Sequence, residues 1–172
     1  MPMENNTISD ERILPIVSRM RELVREMKLL GVDTEQIGKL IFPIGESVPT
    51  VKLFDGGIII PDEGNAVISL NPSECALYEL FLRHPEGISS DGFVLCREEY
   101  YAIYQTRSNF DEDVFIRNTV DSLCAESKTV FYSTVSRIKH KIISVLGAWE
   151  ASPYLIKRGR DGLYRIKAIL EP

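Results

Sequence analysis

The chain has 172 residues, enough for one or two small domains with a real core, and its 44% hydrophobic and 26% charged residues are ordinary for a globular protein. No apolar run approaches the roughly 20 residues that span a bilayer, so no membrane association is expected, and the polar, acidic start MPMENNTISDER reads as neither a signal nor a transit peptide. The three cysteines (Cys75, Cys96, Cys124) are odd in number, far apart and form no CxxC, and only His84 and His140 add to them; this argues against a disulfide framework and a zinc site and points to a reducing, cytoplasmic compartment.

Residues 8–30 read as a helix. Ser9 or Asp10 suits its N-cap and Glu11 the positive end of its dipole. Its apolar positions Ile13, Ile16, Met20, Leu23, Met27 and Leu30 follow a 3-4-3-4-3 spacing, a heptad seam that Val17 and Val24 widen. Such a seam serves either a homodimer or packing within its own domain. Gly31 closes the helix. A short second helix follows, with Asp33 as N-cap, Gln36 at capping-box spacing, and Ile37, Leu40 and Ile41 as its apolar side. Pro43, Gly45 and Pro49 then mark a linker, dividing a helical segment (1–47) from a second domain (48–172).

That second domain opens with an antiparallel β-meander: VKLF (51–54), a turn at Asp55-Gly56-Gly57, IIIP (58–61), the turn DEGN, and VISL (67–70). Asn71-Pro72 starts a helix over 73–84 with Leu77, Leu80 and Phe81 inward, stopped by Pro85 and Gly87. Residues 92–107 read as another helix, and Val114, Ile116, Val120 and Leu123 could mark one more. A basic helix is expected over about 132–146, its stripe formed by Val135, Ile138, Ile142, Val145 and Leu146. Two strands, LIKR and LYRI, close the chain across the turn Gly159–Gly162.

The sign of the charge flips along the chain. Residues 128–167 hold nine basic side chains (Lys128, Arg137, Lys139, Lys141, Lys157, Arg158, Arg160, Arg165, Lys167) against Glu150 and Asp161, a local balance of +7. The 127 residues before them carry 11 basic and 22 acidic side chains. A concentrated basic face on an acidic protein is the footprint of a polyanion partner.

The order of meander, helix, helix, basic helix and basic hairpin resembles the winged helix-turn-helix effector domain of OmpR-like response regulators. The local matches are LNPSECALYELFLRHPEGI (70–88) to the family's first helix, STVSRIKHKI (133–142) to its recognition helix, and IKRGRDGLYRI (156–166) to its wing. The resemblance spans roughly residues 50–170 and implies an α+β fold that binds duplex DNA. About 48 residues precede it, too few for a receiver domain, so phosphorelay control is not expected to carry over.

A helix laid in the major groove needs short polar residues near its N-terminal end, and cations that reach phosphates. Ser133, Thr134, Ser136, Arg137, Lys139, His140 and Lys141 supply both. A wing entering the minor groove needs Arg near its tip, and Lys157, Arg158, Arg160 and Arg165 lie on or beside that turn. The runs Glu98-Glu99 and Asp111-Glu112-Asp113 have no His, Lys or nucleophile at a recognisable spacing, so they read as solvated surface. The expectation is therefore a non-enzymatic, sequence-specific DNA-binding regulator without a cofactor. The alternative is a winged-helix module that binds another protein and no DNA. If internal carboxylates tie up the cations, that alternative gains.

Overall fold

The computed structural model describes residues 13–34, 37, 48–108 and 113–171. The chain divides into two compact units, residues 1–47 and 48–172. Within the first, α1 runs from Ile13 to Leu29. Its end is a Schellman motif: Gly31 (φ +85°) donates to the Lys28 carbonyl at 3.1 Å and Val32 to that of Met27 at 3.0 Å. No α1 residue is buried. The Ile37 amide donates to the Asp33 carbonyl at 3.0 Å, opening a further helical turn with Ile37 buried. The expected residues Ser9, Asp10, Glu11, Gln36, Leu40, Ile41, Pro43 and Gly45 lie outside the described residues.

The second unit is mixed α+β, with two small sheets. β1 (Thr50–Phe54), β2 (Gly57–Ile60) and β3 (Ala66–Ser69) form the expected meander, with Lys52 opposite Ile59 and Ile58 opposite Ile68. Val51, Ile58, Ile60 and Ile68 point inward while Lys52 and Val67 face solvent, the alternation of a sheet covered on one side. Gly57 (φ +148°) is required at the first turn: a Cβ there would stand 2.0 Å from the Ile68 carbonyl oxygen. The chain's end adds a fourth strand, β7 (Ile169–Leu170), parallel to β1.

Helix α2 (Pro72–Arg83) is the spine of this unit. Cys75, Ala76, Leu77, Tyr78, Leu80 and Phe81 are all fully buried, so it has almost no solvated face. Its N-terminus is a capping box. The Asn71 side-chain oxygen accepts from the Glu74 amide at 2.9 Å, and the Glu74 carboxylate accepts from the Asn71 amide at 3.0 Å. Tyr78 donates its hydroxyl to the Tyr154 carbonyl at 2.8 Å, fastening the spine to the segment before the hairpin. At the far end His84 sits between Glu86 (2.7 Å) and Glu99 (2.8 Å), and those carboxylates, Glu99 foremost, raise its pKa.

Against the spine pack α3 (Arg97–Arg107) and α5 (Thr129–Leu146), and α4 (Asp113–Cys124) packs on both of these. Glu79 of α2 anchors α3 by accepting from Arg107 Nε at 2.6 Å, while Arg107 Nη1 donates to the Phe54 carbonyl at 3.1 Å. Ile116, Val120 and Leu123 of α4 are buried, whereas Val114 of the expected set faces solvent. Between α2 and α3, the short strand β4 (Ile88–Ser89) pairs with β6 (Leu163–Arg165), which pairs in turn with β5 (Lys157–Arg158). The terminal hairpin is thus the outer part of a three-stranded sheet. No helix among the described residues is long and apolar enough to cross a membrane.

Candidate nucleic-acid interface

Helix α5 starts three residues earlier than its charge pattern suggests. Lys128, at a left-handed φ of 53°, turns the chain into it, and this brings Phe131 into the core. The buried stripe is Phe131, Thr134, Ile138 and Ile142. Val135 and Leu146 are half-buried and Val145 is exposed, so the inward face is rotated from the expected one. Thr134, expected at the reading surface, is consequently buried, and its hydroxyl accepts from Arg137 Nη2 at 3.0 Å. Ser133, Ser136, Arg137, Lys139 and His140 are exposed, and Lys141 is half-buried.

The cations of α5 lie on two flanks, because successive residues are turned by about 100°. On one flank Arg137 and Lys141 converge on Glu74 of α2. Arg137 Nε donates to one carboxylate oxygen at 3.2 Å, and Lys141 Nζ donates to the other at 2.6 Å. Glu74 is 1% exposed, against 54% and 39% for its partners' side chains. Burial pushes the Glu74 carboxyl up, but Lys141, the Asn71 amide and Arg137 together outweigh it and hold the pKa below the ordinary value. One carboxylate therefore caps α2 and fixes the rotation of α5 against it.

On the other flank, Tyr132, Val135, Ser136 and Lys139 face the hairpin. With Leu155, Ile156, Lys157, Arg158 and Tyr164 they enclose a groove of about 520 Å³. A shallower hollow of about 190 Å³ continues over Ser136, Lys139, His140 and Ile143. Lys139, His140, Arg158 and Arg160 have no carboxylate partner among the described residues, and Lys157 donates only to the Ser152 hydroxyl at 2.6 Å. Arg165 differs: it is held by Asp161 at 2.7 Å and by the Glu86 carbonyl at 2.9 Å, and it braces the hairpin. The turn itself is closed by the Gly159 amide donating to the Leu163 carbonyl at 2.8 Å, with Gly162 at φ +81°.

Of the eleven residues expected at a DNA surface (Ser133, Thr134, Ser136, Arg137, Lys139, His140, Lys141, Lys157, Arg158, Arg160, Arg165), the structure thus presents seven outward without an acidic partner among the described residues. It turns Thr134 inward and commits Arg137, Lys141 and Arg165 to internal contacts. The sequence reading overlooked Glu74, although the Asn71–Glu74 spacing is that of a capping box. It also overlooked Tyr132 and Tyr164, which line the groove and stand 6.4 Å apart at their ring centres. The chain matches no family model, no curated protein and no solved structure.

Replacing Glu74 with Gln keeps the shape and one acceptor but removes the charge that two cations share. Glu74→Gln is expected to cost about 1.5–3 kcal/mol in urea unfolding, the range for hydrogen bonds to charged groups. A loss below about 0.3 kcal/mol would mean the pair contributes no more than an exposed surface bridge.

Proposed function

We propose that residues 48–172 form a winged helix-turn-helix domain that binds duplex DNA sequence-specifically, as the non-enzymatic core of a cytoplasmic transcription regulator similar to OmpR-like effectors. In this reading α2, α3, α4 and α5 are the helices of the domain, β5 and β6 are its wing, and α5 enters the major groove. Ser133, Ser136, Lys139 and His140 approach base edges and phosphates, and Lys157, Arg158 and Arg160 approach the backbone and the minor groove. The observation that carries it is the seven-residue polar surface spread over α5 and the hairpin, whose cations have no carboxylate partner among the described residues. An acidic chain that pairs most of the other arginines among its described residues, yet leaves these cations without a carboxylate partner there, has a local field that favours a polyanion.

One observation supports the second reading, a winged-helix module that binds a protein. Glu74 holds Arg137 and Lys141, two of the cations that DNA contact was expected to use. The test is a titration of random duplex DNA at two salt concentrations. Each neutralised phosphate contributes about 0.9 to the log–log salt slope, so six contacts give a slope near −5 and a steep loss of affinity between about 50 and 200 mM salt. Absence of salt-sensitive binding at the lower concentration overturns the DNA reading in favour of the protein-binding one.

A further inference from the structure

We propose that α1 pairs with α1 of a second copy of this chain, antiparallel, about a two-fold axis passing between Met20 and Leu23. This stands independently of the DNA reading.

The first observation is that α1 buries no residue although its apolar positions keep a strict heptad spacing. Ile13, Ile16, Met20, Leu23 and Leu30 are 39–83% exposed. Val17, Val24 and Met27 are half-buried. A helix of 17 residues in a protein gains most of its stability from covering an apolar face and not from intrinsic propensity. A 3.5-residue apolar period, unlike the 3.6 period of a helix lying on a globular core, keeps its seam facing a partner helix along its whole length.

The second observation is charge, and it selects both the occupant and the direction. The positions flanking the seam just before Met20 and Met27 are Arg19 and Glu26. In an antiparallel pair these flanks face one another. Setting Met20 against the partner's Leu23 also sets Ile16 against the partner's Met27, and Ile13 against the partner's Leu30 one residue past the end of α1, so all six seam residues find a layer. The same register brings Arg19 beside the partner's Glu26, and Glu26 beside the partner's Arg19. Two symmetry-related ion pairs then border one continuous apolar seam. A parallel pair would place Arg19 against Val24 and Glu26 against Gly31 of the other chain, with no charge matched. Arg19 now contacts Glu22 at 3.1 Å, but both side chains are more than half exposed, so that bridge holds it only weakly.

Antiparallel pairing is isologous: the same patch meets itself and the assembly closes at two copies. It therefore predicts a dimer and no larger species. Sedimentation equilibrium of the full chain, over low to high micromolar concentration, is the measurement. The wild type is expected to dimerise, and Leu23→Asp to remain monomeric with the second unit intact. Arg19→Glu and Glu26→Arg each bring like charges together at both symmetry-related sites, and each should weaken the dimer by about tenfold. The doubly reversed protein, R19E/E26R, restores both pairs and should recover wild-type affinity to within about threefold. The two reversals leave the apolar seam untouched, so they report orientation even if Leu23→Asp disturbs α1. A wild-type monomer throughout, a dimer that survives Leu23→Asp, single reversals without effect, or a double reversal that fails to rescue would each overturn the proposal.

Discussion

Phe131→Ala should be among the most damaging single substitutions in the second unit, at about 3–5 kcal/mol, the range for emptying a fully buried aromatic site. Phe131 is 1% exposed, and its ring stands 5.2 Å from Phe93, 5.4 Å from Tyr164, 5.5 Å from Tyr132 and 6.4 Å from Phe81. Those partners come from α2, the 3₁₀ turn Gly92–Cys96 that replaces the first part of the helix expected over 92–107, α5 and β6, so one side chain joins the spine to the helix and sheet that carry the candidate interface. Tilted and edge-on ring pairs add to the stabilisation that buried area alone gives. The surrounding backbone belongs to four separate elements and cannot collapse onto the void as a unit. With total stabilities of only about 5–15 kcal/mol for a domain, such a loss consumes a large part of the margin. Urea unfolding followed by circular dichroism measures it, with Trp149→Ala as the comparison. Trp149 is 88% exposed, and its removal should change stability by no more than about 0.5 kcal/mol. A Phe131→Ala loss below about 1 kcal/mol would mean that the aromatic cluster is not packed as described.

Phe131 also shows where the sequence was readable and where it was not. Alternating apolar residues place the meander, and Asn71-Pro72 with its following apolar run places α2, because both signals are local. The basic helix and the hairpin glycines were legible for the same reason. The rotation of α5 was not. Its apolar residues Val135, Ile138, Ile142, Val145 and Leu146 define one stripe, and adding Phe131 at the N-terminal end turns that stripe toward Thr134. Only packing against Phe81, Phe93 and Tyr164 makes Phe131 part of the helix's inward face, and those rings come from distant segments. Strands β4 and β7 were invisible because each is two residues long and is held by backbone pairing with a strand far along the chain. Glu74 was hidden by a general tendency: charged residues on helices are usually solvated, whereas this one is buried with two cations and a capping role. The basic character of residues 128–167 was legible as composition. The division of its cations into a structural set and an open set depended on which of them a buried carboxylate could reach.

That division makes the last prediction specific. Replacing Lys139, Arg158 and Arg160 together with Ala should flatten the log–log salt slope of duplex binding by about 2.7, three contacts at roughly 0.9 each. The affinity at moderate salt should fall by on the order of 3 kcal/mol, more than a hundredfold, if each charge-assisted contact contributes about 1 kcal/mol at these exposed positions. All three cations are exposed and have no carboxylate partner among the described residues, so their removal strands no buried charge and should leave the unfolding midpoint close to the wild type. Arg137→Ala and Lys141→Ala should behave in the opposite way. Each takes a partner from the buried Glu74 and so lowers stability, while the salt slope changes little because Glu74 already occupies these cations. Glu74→Gln gives a third sign: it weakens the fold but frees two cations and deletes a negative charge beside them, so DNA binding should tighten. If the triple replacement keeps the wild-type slope while Arg137→Ala and Lys141→Ala flatten it, the contacting surface is the α2-facing flank of α5. Arg137 and Lys141 would then have to leave Glu74 on binding, and the groove beside the hairpin would not be the path of the phosphates.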